Sequence, residues 1–153
     1  MMELILWRHA EAEAGEPDFD RALTPKGHKQ AARMAAWLDL NLPNSCRILV
    51  SPTRRTIQTA EALGRKFRIF PAVGPDASAL DLLEAVNWPL GREPALIVGH
   101  QPALGKVVAQ LLTGSQQEWP MRKSSAWWFV QKERKGEAFN YLKAVMTADL
   151  VAK

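Results

Sequence analysis

The chain has 153 residues, 47% hydrophobic and 24% charged, with a formal net charge of +4. This is the balance of an ordinary globular protein, long enough to bury a core, and residues 1–153 are read as a single domain. The lone cysteine, Cys46, excludes an intrachain disulfide and a Cys/His finger. No stretch approaches the roughly 20 apolar residues of a membrane helix, and Arg8, Glu11 and Glu13 follow the first apolar run too closely for a signal peptide. The expectation is a cytoplasmic protein without membrane contact.

The first element is the apolar run Met2-Glu3-Leu4-Ile5-Leu6, which leads into Trp7-Arg8-His9-Ala10. It is short and continuous, as in a strand buried on both faces of a parallel sheet. Gly15 to Asp20 reads as a surface loop. Thr24-Pro25 reads as a helix start, with Thr as N-cap and Pro in the first turn. Gly27, Ala31, Met34, Leu38 and Leu42 then fall on one face.

A second strand, Arg47 to Val50, runs into Ser51-Pro52-Thr53-Arg54-Arg55. Ser51 as N-cap and Pro52 at the first helical position predict a helix whose apolar face carries Ile57, Ala60, Gly64 and Phe67. Pro71 to Asp76 reads as a strand end and loop, and Ala79, Leu82, Leu83 and Val86 as a third helical face. Gly91 to Pro94 is a turn into the strand Ala95 to Val98, which exits on Gly99-His100-Gln101-Pro102. Leu104, Val107, Val108, Leu111 and Leu112 give the clearest helical pattern. Ser125–Gln131 and Ala138–Met146 are β-prone, with Lys135-Gly136 as a hairpin turn, and one of Trp127 and Trp128 faces the core.

Strands alternating with helices predict an α/β fold. It is a three-layer α/β/α sandwich, with a mostly parallel sheet, helices on both faces and an antiparallel edge. Ligands of such sheets bind at the carboxyl ends of the strands. That brings Arg8, His9, Arg55 and His100 to one edge. An imidazole beside guanidinium groups suits phosphoryl chemistry: the nitrogen attacks phosphorus while the arginines fork onto phosphoryl oxygens. Arginines in a first helical turn oppose the helix macrodipole, and a bound anion reverses that sign.

Other readings of the same residues fit less well. Neighbouring arginines repel cations and no third ligand has the spacing of a zinc site, so no metal is expected. No Gly-x-Ser-x-Gly elbow marks a serine hydrolase. The basic runs Arg65-Lys66-Phe67-Arg68 and Lys132-Glu133-Arg134-Lys135 lack a nucleic-acid motif and read as solvated element ends. His28 reads as solvent-facing and has no assigned role.

Arg8-His9-Ala10-Glu11-Ala12 resembles the Arg-His-Gly/Ala signature of the histidine phosphatase superfamily, the phosphoglycerate-mutase-like fold. Ser51 to Ala60 resembles its Ser-Pro-x-x-Arg-x-x-x-Thr-Ala motif, which selects Arg55 over Arg54. Val98-Gly99-His100 resembles a third motif, and Asp20 to Gly27 the segment opening its first helix. The length is similar to that of the short phosphohistidine phosphatases of the SixA type.

The resemblance implies a covalent mechanism. His9 is the nucleophile, and Arg8, Arg55 and His100 bind the phosphoryl group without cofactor or metal. The implied partner is a phosphohistidine-bearing phosphotransfer protein. Many relatives carry a glutamate as general acid; the matching stretch here, Pro71 to Ser78, offers only Asp76. The shortness of the chain predicts a strand-exit edge open to solvent. A small-molecule phosphomonoesterase and a non-catalytic phosphate-binding module are the alternatives.

Overall fold

A computed structural model describes residues 1–151. Six strands form one sheet: β1 (Met2–Arg8), β2 (Arg47–Val50), β3 (Arg68–Ile69), β4 (Ala95–Gly99), β5 (Ala126–Arg134) and β6 (Glu137–Met146). Their spatial order is β3-β2-β4-β1-β5-β6. β1, β2, β3 and β4 pair in parallel, and β5 and β6 add an antiparallel edge. The helices are α1 (Pro25–Asn41), α2 (Arg54–Glu61), α3 (Ala79–Ala85) and α4 (Ala103–Thr113). The fold is the three-layer α/β sandwich expected from the sequence.

The alternation of side chains along β1 divides the core. Leu4 and Leu6 join Leu49 and Ile97 against Leu82 and Leu83 of α3 and Leu104 and Val107 of α4. Ile5 and Trp7 point the other way and pack with Val50 and Val98 against Met34 and Leu38 of α1 and Ala60 of α2. Both faces of β1 and β4 are therefore covered, which is why these strands read as unbroken apolar runs. Trp128 enters this second cluster, and Trp127 packs half-buried against the first.

Several elements fall as expected. Thr24 Oγ1 accepts the Gly27 N–H and caps α1. The hairpin turns at Lys135 and Gly136, both at positive φ (53° and 80°), as a two-residue turn requires. Gly27 lets α1 approach the chain leaving β1, since a Cβ there would drive into the Glu11 carbonyl. Among the described residues no helix is long and apolar enough to cross a membrane.

Two expectations about α2 need correction. Its N-cap is Thr53, whose Oγ1 accepts the Thr56 N–H, and Pro52 lies outside the helix. Ser51 cannot cap it because its hydroxyl is engaged by His100. Nor does α2 bury an apolar stripe through Gly64 and Phe67. It ends at Glu61, its buried residues are Arg55, Thr56, Thr59 and Ala60, and Gly64 is exposed. Ala60, with Ile57 and Phe67, still packs on the second core cluster, while Arg55, Thr56 and Thr59 turn inward at the strand exits. On α4, Leu112 is 38% exposed while Leu111 is buried.

Candidate active site

β1, β4 and β2 are neighbours, so their exits lie side by side. Arg8 is in register with Gly99, and the His9 N–H donates to the Gly99 carbonyl at 3.1 Å. Ser51 N–H donates to Val98 O at the next exit. The sheet thus brings His9, His100 and Ser51 to one edge, and the first turn of α2 adds Arg55. The His9 and His100 rings lie 5.4 Å apart between centroids, tilted by 56°.

The His9 ring is fixed by its own backbone. Nδ1 lies 2.7 Å from the Ala10 carbonyl oxygen. A carbonyl only accepts, so Nδ1 carries the hydrogen and Nε2 of the neutral ring keeps its lone pair. Burial, reinforced by Arg55 and Arg8 and opposed by the Ala10 bond, lowers the His9 pKa from 6.5 to about 4. The ring is thus unprotonated at neutral pH.

His100 has the opposite tautomer. Arg55 Nη2 donates toward its Nδ1 at 3.4 Å, which leaves Nε2 to donate to Ser51 Oγ at 2.8 Å. Burial, and then His9 and Arg55, lower its pKa to about 3. For His100 to donate to a bound phosphoryl oxygen through Nδ1, that nitrogen must gain a proton.

The two arginines differ in what holds them. Arg8 Nη1 donates to the Met121 carbonyl at 2.7 Å. Arg55 Nη1 donates to the Asp18 carbonyl at 2.9 Å, and Nη2 pairs with the Asp18 carboxylate at 3.2 Å. The Nε–H groups of Arg8 and Arg55 are buried without a partner. Each is a donor available to an anion. Arg54, the neighbour in sequence, is exposed.

The loop after β1 differs from the expected open edge. It folds back as a 3-10 turn over Asp18–Asp20, held by Arg21 Nε on the Asp18 carboxylate at 2.9 Å. Arg55, bonded to that turn, is buried, as are His9 and His100. The cover is thin, since the Asp18 side chain remains 57% exposed.

Asp18 has no marker in the sequence; a loop that reaches back to α2 leaves no periodicity. Local desolvation raises its carboxyl pKa, but Arg55 and Arg21 outweigh that and hold it below the ordinary value. Ser51 could be found from its motif, though not as the partner of His100. Asp76 is exposed in the turn before α3 and makes no hydrogen bond or ion pair with the other candidate residues among those described. No group of three His, Cys, Asp or Glu residues among them is placed to hold a metal ion.

A sequence model of the histidine phosphatase superfamily (branch 1) matches residues 4–76. A phosphohistidine phosphatase SixA homolog of Haemophilus influenzae is 35% identical over 127 residues, 72% of this chain and 77% of that protein. The chain belongs to the histidine phosphatase superfamily. It is of the SixA type and, as a member, a phosphatase. Phosphohistidine phosphatase SixA of Escherichia coli is 30% identical over 135 residues, 82% of each chain. A SixA structure complexed with tungstate superposes with a TM-score of 0.76 at 24% identity, covering 97% of this chain and 98% of that one. The fold is therefore that of the superfamily, and its three motif segments sit at adjacent strand exits of one sheet edge.

Proposed function

We propose that this phosphatase removes the phosphoryl group from a phosphohistidine on a partner protein of the phosphotransfer type, through a covalent phosphohistidine on His9. The observation that carries the reading is the His9 ring itself. Its Nδ1–H is committed to Ala10 O, its Nε2 lone pair is free at neutral pH, and two arginines with unpartnered Nε–H groups flank it.

In the first step His9 Nε2 forms a bond to phosphorus. The substrate ring takes a proton from water on its other nitrogen, so that when its P–N bond breaks the electron pair stays on the ring and neutral imidazole departs. In the second step water attacks phosphorus, the bond to Nε2 breaks, and phosphate leaves with His9 again neutral. Arg8 and Arg55 stabilise charge on the equatorial oxygens in both steps. His100 joins them once it has taken a proton from water, which the charge of the bound anion favours.

The choice of phosphohistidine rests on the proton donors. An alkoxide leaving group needs one, while imidazole leaves with a conjugate-acid pKa of about 6.5. Asp18 is held ionised by Arg55, and exposed Asp76 makes no hydrogen bond or ion pair with any of the four among the described residues. The names of the relatives, phosphohistidine phosphatase SixA at 30% identity and its homolog at 35%, support the same substrate class.

The test is quenched turnover of a phosphohistidine-bearing photransfer domain in parallel with para-nitrophenyl phosphate. The expected result is an acid-labile, base-stable label on wild type and none on His9→Ala, with higher kcat/KM for phosphohistidine. A label surviving in His9→Ala removes the nucleophile assignment, and a tenfold preference for the phosphomonoester removes the substrate assignment.

A further inference from the structure

Beside the site lies a cavity of about 340 Å³ between the first half of α1 and the chain after Trp119. Lys26, Lys29 and Arg33 face it from α1, and Arg122 and Lys123 from the other wall. Among the described residues, Asp149 is the one carboxylate on its lining. Five cations against one acid equal the +4 excess of the whole chain, so the remainder is balanced. Neither wall stood out as a basic run in the sequence; the fold assembles the cluster from two distant segments. Among the described residues, Lys123 has a carboxylate within 4.0 Å, that of Glu11, while Lys26, Lys29, Arg33 and Arg122 have none.

The cavity is joined to the candidate active site by a short, pinned segment. Met121 receives Arg8 Nη1, and Ser124 N–H donates to the His9 carbonyl. Arg122 and Lys123 are the two residues between them. Their backbone is thus roughly 10 Å from His9, given 3.8 Å between successive Cα atoms. The surface around a phosphorylated side chain at His9 spans that distance, so the cavity is within reach of a protein substrate.

Resting on the phosphohistidine reading above, we propose that this cavity docks carboxylate side chains of the partner protein that flank its phosphohistidine. Lys26, Lys29, Arg122 and Lys123 are exposed on flexible side chains. Such cations do not enclose a small anion. They form a field that meets a surface of acidic residues, where complementary charge raises association rate and sets orientation.

The experiment uses two peptides with the same central phosphohistidine. One carries Glu at the third and fourth positions on either side, about 10 Å away along an extended chain; the other carries Gln there. Each is offered to wild type and to Lys26→Glu/Lys29→Glu. These substitutions place acids in the first turns of α1, where the helix dipole favours them, so the fold is retained.

Wild type should prefer the Glu peptide by about tenfold in kcat/KM at low salt, and the preference should fade at high salt. The variant should lose or reverse it while hydrolysing the Gln peptide within about twofold of wild type. Equal use of both peptides by wild type overturns the proposal, as does a preference kept by the variant. Equal loss on both peptides also overturns it, because the cavity then acts on the chemistry instead of docking. If wild type hydrolyses neither peptide, the phosphohistidine reading falls, and this inference falls with it.

Discussion

Lowering the pH should not switch His9 off where an ordinary histidine would be. A histidine with its usual pKa of 6.5 is about 9% neutral at pH 5.5, whereas one at about 4 is about 97% neutral. The nucleophile should therefore lose almost nothing between pH 8 and 5.5. The cause is mainly burial, so Arg55→Gln, which removes a nearby cation, should raise the value only part of the way. The assay is a ¹⁵N and ¹H NMR titration of the imidazole rings, assigned with His9→Ala and His100→Ala. Alongside it, kcat/KM is corrected for protonation of the substrate. The same spectra should show His9 protonated on Nδ1 and His100 on Nε2. A His9 midpoint at 6 or above, or a hydrogen on its Nε2, would refute the reasoning. Linkage gives a second readout. Between pH 6.5 and about 4 the unfolded chain binds a proton that native His9 refuses, so stability falls as pH drops through that window. For His9 alone the loss is on the order of 3 kcal/mol, and His9→Ala should flatten that part of the slope.

Arg55→Ala should lower kcat/KM by about 10²–10³, as for one preorganised oxyanion donor, and Arg54→Ala by less than about threefold; equal losses or the reverse order would sink the assignment. Asp18→Asn keeps an acceptor for Arg55 but removes a negative charge facing the site. Vanadate should then inhibit at about fivefold lower concentration, corresponding to roughly 1 kcal/mol of repulsion relieved, and unchanged or weaker inhibition would contradict this. Gly27→Ala should lower the melting temperature, because overpacking against the Glu11 carbonyl, about 1–3 kcal/mol, outweighs the helix propensity gain of up to about 1 kcal/mol; a raised melting temperature would refute the close approach.

What could be read from the sequence was governed by periodicity and by short-range chemistry. β1 and β4 stood out because both faces are covered, leaving unbroken apolar runs. α1 stood out because Thr24, Pro25 and a regular apolar face all mark the same helix. β3 left no signal, being two exposed residues long. The spacing of Ile57, Ala60 and Phe67 does mark residues that pack on the core, but it carries no sign that α2 stops at Glu61 or that Arg55, Thr56 and Thr59 are buried at the strand exits. Ser51 has the chemistry of an N-cap, and only the neighbouring exit of β4 shows that His100 engages its hydroxyl. Asp18 and the Arg122–Lys123 segment reach the site through loop paths, and no local pattern encodes where a loop returns.

The charge balance of the site also bears on the leaving group. His9 is neutral with its hydrogen committed to a carbonyl, and His100 is neutral with its hydrogen committed to Ser51. Among the described residues, the carboxylate paired with this cluster is that of Asp18, held ionised by the same arginine that would grip phosphate. None of these three groups is therefore an acid at neutral pH. For His100 to serve a phosphoryl oxygen through Nδ1, as proposed, it must take a proton from water as the anion binds. A site arranged in this way stabilises charge on the phosphoryl group strongly and delivers protons to a leaving group poorly. That combination favours a leaving group that departs as a neutral base without an acid from the enzyme, as imidazole does from a phosphoramidate protonated on its ring by solvent.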